Sequence, residues 1–192
     1  YMYPDEGFFG TQYDGSLEFP YPSINFFLIE PEGAEIVWRE PNEEYAHHEI
    51  MKLPWGDYMG IAHVVENGPI CPPIGSDAWI LFTGQDFQAD CITIEYPWWG
   101  DRLVIWDKDT KAEKWSWSTF DYFNTSDYDS ITWNSSTPID DGYYDWTHVN
   151  AFYFDERDSS IYISTRNLSR ITKLQYPSGD IIWNMGRESA SG

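Results

Sequence analysis

Positive charge is scarce in this chain of 192 residues: 11 Lys and Arg stand against 32 Asp and Glu, a net charge of -21 at pH 7. That balance argues against a nucleic-acid partner, whose phosphates would be repelled, and against docking on anionic membranes. It suits a protein kept soluble in a salty or extracellular setting. No apolar run approaches the roughly 18 to 20 residues that a membrane helix needs, so no membrane insertion is expected. No signal peptide is visible, and the chain opens at "YMYPDEGFFG" without an initiator methionine, as a processed or trimmed product would. Long amphipathic helical patterns are missing too; only "STFDYFNTSDY" has room for a turn or two of helix.

Cysteine is limited to Cys71 and Cys91. A pair in a short, loop-rich stretch suits a disulfide. Three sequons accompany it, at Asn124, Asn134 and Asn167, and are the glycosylation candidates. Together they tilt the expected compartment toward the extracytoplasmic side: periplasmic, secreted or cell-surface.

What is abundant is aromatic: 11 Trp, 14 Tyr and 11 Phe, 19% of the chain. Such residues favour strands and make wide packing surfaces. Short β-branched and aromatic runs bounded by turn formers predict strands over 24–30, 34–40, 58–64, 101–107, 112–117, 150–154, 160–166, 170–176 and 180–186. The fold class is therefore all-β. A repeat organises the strands. "INFFLIEPEGAEIVW", "RLVIWDKDTKAEKWSW" and "RITKLQYPSGDIIW" each read as strand, polar turn and strand, closing on Trp38, Trp117 and Trp183. A second unit alternates with it: "HHEIMKLPWGDYMGIAHV" and "HVNAFYFDERDSSIYISTR" place histidine at the head of a strand. The second unit followed by the first makes four antiparallel strands, one blade of a β-propeller. Counted so, residues 1–192 form a single partial propeller domain of about two and a half blades. It comprises a half blade over 24–40, a blade over 47–117 with an insertion at 65–100, and a blade over 147–186. Either a longer polypeptide or partner chains would supply the remaining blades.

The innermost strand of each blade lines the channel of a propeller. His47 and His48 open one such strand and His148 the next, so equivalent positions are expected to converge on one axis. Asn150, two residues past His148, would share its face by strand alternation, and Arg166 would return to the same mouth. Taken singly, a strand histidine is an ordinary packing residue and a strand-end arginine an ordinary surface charge; their recurrence at equivalent repeat positions argues for a site. Three histidines can hold zinc, but no local pair such as HExxH is present, and His47 and His48 as strand neighbours should face opposite ways. No metal is expected.

"HHEIMKLPWGDYMGI", "DRLVIWDKDTKAEKWSW" and "DWTHVNAFYFDERDSSIYISTRNLSRITKLQYPSGDIIWNMG" resemble successive motifs of the arylsulfate sulfotransferase (ASST-like) family, over about residues 24 to 186. The last is the most specific: D-[WY]-x-H-x-N, then S-x-R-[NH], then G-x-I-x-W. The resemblance implies a six-bladed propeller that moves a sulfuryl group from an aryl sulfate to a phenol acceptor, with no cofactor and no nucleotide donor. It implies a transient sulfuryl-histidine. Mapped by motif, His148, Asn150 and Arg166 match the set that binds the sulfuryl oxygens. His48 matches the channel histidine of the earlier blade, and His47 is the alternative for that role. Catalytic work thus falls to His48, His148 and Arg166, and substrate binding to Asn150 and His47. Sulfuryl transfer, like phosphoryl transfer, spreads negative charge over equatorial oxygens, so catalysis is positioning and charge stabilisation. An arginine fork and an asparagine amide suit that task. The family's nucleophilic histidine sits in an aromatic-Gln-His context, which none of the four histidines here, His63 included, has. The nucleophile is expected outside this stretch, and residues 1–192 in isolation are expected to be inactive.

A reading from another class is a non-catalytic, glycosylated extracellular propeller module used in assembly or surface structure. Its support is the sequons, the acidity and aromatics such as "PWWG", expected to be exposed. An acidic calcium-binding adhesion module has only "DKDT" and "IDDGYYD" behind it, and neither matches a calcium loop.

Overall fold

Period-two burial builds the sheet of residues 149–186. In β12 (Ser160–Thr165) Ile161 and Ile163 turn inward, and in β13 (Arg170–Gln175) Thr172 and Leu174 do the same. Phe152 and Phe154 of β11 (Val149–Asp155) complete that buried face. Each fully buried side chain of this size contributes about 1.5 to 3 kcal/mol. With β14 (Ile181–Gly186) these strands pair antiparallel in the order β11-β12-β13-β14. The opposite face carries a cross-strand row, Tyr153 opposite Tyr162, Tyr162 opposite Lys173, and Lys173 opposite Trp183. Tyr153 meets Tyr162 tilted at 6.5 Å, Tyr162 meets Trp183 edge to face at 5.9 Å, and Lys173 Nζ lies 5.0 Å over Tyr162.

The connections explain why the strands turn where they do. Asp155 accepts from Arg157 N and Nε with one oxygen and from Arg157 Nη2 with the other, which holds its carboxyl down at about 2. Ser159 and Ser169 take up the positive φ of the two tight turns. Gly186 closes the sheet at φ 148, where an added Cβ would sit 2.2 Å from the carbonyl oxygen of Ser169; no other residue fits there.

The structure, a computed structural model, describes residues 2–3, 7–12, 23–30, 33–39, 41, 46–67, 97–124, 127, 139–140 and 143–186. A second four-stranded antiparallel sheet has the order β1 (Met2–Tyr3), β2 (Gly7–Gln12), β3 (Ser23–Glu30), β4 (Gly33–Arg39). The sequence reading has β3 and β4 of this sheet and misses its first two strands, because the glycines of "GFFGTQ" dilute the alternation. A third sheet runs β5 (Ala46–Lys52), β6 (Tyr58–Asn67), β7 (Pro97–Trp106), β10 (Tyr143–Asp145), β9 (Ile139–Asp140), with β8 (Glu113–Ser118) also on β7. One helical turn, α1 (Thr119–Tyr122), follows β8 where "STFDYF" suggests it. The fold is all-β, and two of its three sheets are four-stranded and antiparallel, of the kind that make propeller blades. Among the described residues no helix is long and apolar enough to cross a membrane.

Two compact units divide the chain: Tyr1–His63 with Arg102–Trp117, and Val64–Asp101 with Ser118–Gly192. The core of the first holds Trp38, Ile50, Tyr58, Val104 and Trp106, with Trp38 stacked on Tyr58 at 4.3 Å. Gly60 admits the Trp106 ring, which lies 2.8 Å from where a Cβ would stand. The hairpin of β7 and β8 is tied by Lys114, whose Nζ reaches Asp57 at 2.9 Å and Asp107 at 2.8 Å. In the second unit Trp146 is fully buried against Trp98 and Phe120. Trp98 and Trp99 are 0% and 7% exposed, which corrects the expectation that "PWWG" offers exposed aromatics. Parallel pairing of β7 with β10 draws both tryptophans inward.

Candidate functional site

The site of the second unit is a three-residue connection, Trp146-Thr147-His148, between β10 and β11. Five contacts fix its path. Trp146 N donates to Trp99 O at 2.9 Å. Thr147 Oγ1 and Val149 N both donate to Asp101 Oδ2, at 2.5 and 2.7 Å. Asn167 N donates to Thr147 O at 3.2 Å, and Arg166 N to His148 O at 3.0 Å. Asp101 is only 2% exposed, so its carboxylate depends on those donors, and the loop depends on it.

His148 closes this connection with φ 50, a left-handed conformation that histidine adopts more readily than most side chains but still uncommonly. A β-bulge follows at once: Val149 pairs with Thr165 and Ala151 with Ser164, leaving Asn150 between them. His148 is thus not part of the regular strand, and simple alternation does not link it to Asn150. The imidazole is half-buried, with Nδ1 2.5 Å from Asp145 Oδ2. That bond chiefly raises the pKa of His148 above 6.5; burial opposes it, the charges of Asp145 and Asp101 add to it, and Arg166 works against it.

Asn150 and Arg166 are exposed, and no hydrogen bond or ion pair holds either side chain among the described residues. Arg166 opens the turn after β12, its backbone amide bonded to His148. Its neighbour Asn167 turns inward instead. At 4% exposure, its Nδ2 donates to Asp145 O at 2.8 Å. The nitrogen that a glycan would occupy is therefore not presented to solvent, whereas Asn124 is exposed. Asn134, Cys71 and Cys91 lie outside the described residues.

In the first unit His48 has φ 60, and the register of β5 with β6 shifts between His47 and Ile50. This is the same local device as at His148. It removes the expected alternation: the His47 and His48 rings meet edge to face at 5.0 Å rather than pointing apart. His63, across the hairpin on β6, stacks on His47 at 3.9 Å and 10°. Sequence alone does not join His63 to the pair, because nothing in "GIAHVV" fixes the register that brings it there.

Sequence reasoning gives no site role to Asp145, Asp101 or Thr147, and reads Asn167 only as a sequon. Asp145 carried a signal, standing three residues before His148 in "DWTH". Asp101 carried none, since its partners are 46 and 48 residues away.

The second unit thus holds an exposed guanidinium on Arg166, whose amide is bonded to the His148 carbonyl, an exposed amide on Asn150, and an imidazole whose Nδ1 is bonded to Asp145; a guanidinium and an amide are donors that suit an oxyanion. The family model described as Arylsulfotransferase (ASST) matches residues 78–191, more than half of the chain, and includes His148, Asn150 and Arg166. No curated protein matches the chain.

Proposed function

This chain belongs to the Arylsulfotransferase (ASST) family, and we propose that it serves the transfer of a sulfuryl group from an aryl sulfate to a phenol acceptor through a sulfuryl-histidine. The observation that supports the reading is the pinned connection that holds His148, with Arg166 bonded through its amide to the His148 carbonyl and the exposed Asn150 two residues on. Arg166 supplies a cationic fork and Asn150 a neutral donor for the sulfuryl oxygens, whose charge grows in the transition state. The attacking imidazole nitrogen forms a bond to sulfur as the bond from sulfur to the aryl oxygen breaks. His148, protonated, gives its Nε2 proton to that departing oxygen. In the second half the acceptor phenol returns a proton to His148, its oxygen bonds sulfur, and the sulfur–nitrogen bond breaks.

None of the four histidines stands in the aromatic-Gln-His context of the nucleophile, so this role is assigned to a residue outside 1–192. His48 and His47 keep the catalytic and substrate-binding roles of the repeat-equivalent position in the first unit. The cysteine pair and the sequons support an extracytoplasmic location.

Initial rates of the intact protein, measured over a grid of aryl sulfate and phenol concentrations, test the reading. Parallel double-reciprocal lines, with a sulfuryl adduct on a histidine peptide when acceptor is withheld, are expected. Hydrolysis or transfer without such an adduct would overturn the covalent route. No transfer at all would favour the assembly module.

A further inference from the structure

Asp145 stands where three constraints meet. It ends β10, paired in parallel with Trp99 of β7. Its backbone carbonyl is held by the Asn167 side chain at 2.8 Å, and its carboxylate lies 2.5 Å from His148 Nδ1. The residues between the two are fixed in turn by Trp99, Asp101 and Asn167. Carboxylate and imidazole therefore meet across a braced loop rather than as a flexible surface pair. The side chains are only 21% and 25% exposed.

We infer that Asp145 is a positioning residue, which binds His148 through Nδ1 and thereby makes Nε2 the ring nitrogen presented to the sulfate ester. The inference rests on the proposed function for the identity of the ester, but the ring geometry stands apart from it. A carboxylate is acceptor-only when ionised, so the bond places a proton on Nδ1. Which nitrogen carries the proton in a neutral imidazole is set by the bond the other makes. Neutral His148 would thus offer Nε2 as an acceptor for the acceptor phenol's proton, and protonated His148 would offer Nε2–H to the departing aryl oxygen. Both halves of the transfer use one atom, with no ring flip between them. The braced loop supplies the orientation, and Asp145 supplies the tautomer.

Among the described residues, the charged groups that act on the ring include Asp145 at the end of β10, Asp101 of β7 and Arg166 in the turn after β12. The two acids favour the protonated ring, and Arg166 opposes it. Asp101 binds Thr147 and Val149, and Asp145 is bonded directly to the ring at Nδ1.

The test is a pH titration of the His148 ring nitrogens by NMR in the intact protein, with the signals assigned by their loss in His148→Gln. The expected result is a pKa above 6.5 and, above that pKa, a proton on Nδ1. Asp145→Asn should lower the pKa of the ring and remove the preference for the Nδ1–H form. Asp145→Glu should restore part of both. A wild-type ring that carries its neutral proton on Nε2 would overturn the inference, whether or not the Asn variant folds. So would a pKa and tautomer unchanged in Asp145→Asn. In the transfer assay Asp145→Asn should lower kcat by about 10²-fold or more with little change in KM, and its pH profile should shift with the ring. Loss through KM alone would also contradict it. If the wild type transfers no sulfuryl group while the titration behaves as expected, the proposed function falls and the positioning role stands.

Discussion

His48 and His148 share one uncommon backbone state: φ is 60 at the first, inside a register shift, and 50 at the second, just before one. Few side chains tolerate that state, and neither position carries the glycine that would adopt it freely. The same device at equivalent points of two sequence repeats argues that the fold sets histidine side chains there for a purpose other than packing. Strained, non-regular positions of this kind concentrate at functional sites.

Replacing either histidine by glycine separates the two roles. His148→Gly relieves left-handed strain of order 1 kcal/mol but gives up the bond to Asp145, so stability should change little, while sulfuryl transfer falls. Thermal unfolding beside the transfer assay checks this. A variant that loses stability and activity in parallel would mean the histidine is chiefly structural.

The ion pair of Arg170 and Asp127 is buried, with side-chain exposures of 8% each, and Arg170 also lies over the Phe123 ring at 4.8 Å. Asp127→Ala leaves that guanidinium buried without its partner and should cost about 3 to 5 kcal/mol. Asp127→Leu with Arg170→Met should recover much of the loss. Denaturant unfolding of the three proteins is the measurement.

Gly60 faces the Trp106 ring in the core of the first unit. Gly60→Ala drives a methyl into that ring and should destabilise by about 1 to 3 kcal/mol. The loss should show in the same unfolding experiment.

Stability should depend on pH through His148. Its pKa is raised in the folded state, chiefly by the bond to Asp145. The contribution is fully present below the unfolded value near 6.5 and disappears as pH rises through the folded value. A series of melts across that window should show the loss in the wild type and not in Asp145→Asn.

Much of this was legible in the sequence, and the reasons for the remainder are local. "RITKLQYPSGDIIW" announces β13, its turn and β14, because alternation and turn chemistry are both encoded in neighbouring residues. "GFFGTQ" hides β2 because its glycines carry no side-chain pattern. Trp98 and Trp99 were misread as exposed because their burial comes from parallel pairing with Tyr144 and Asp145, more than forty positions on. His148, Asn150 and Arg166 were legible as residue types in a motif. The positive φ, the bulge and the brace from Asp101 were not, since each depends on contacts far apart in the chain.

The most direct measurement is transfer from 4-nitrophenyl sulfate to phenol by the intact protein, with Arg166→Lys and Asn150→Ala beside the wild type. The account predicts transfer by the wild type and a fall in kcat/KM of about 10² to 10³-fold in the variants. Arg166→Lys should fail because a point charge does not replace the planar fork. Variants as active as the wild type, or a wild type without transfer, would contradict it.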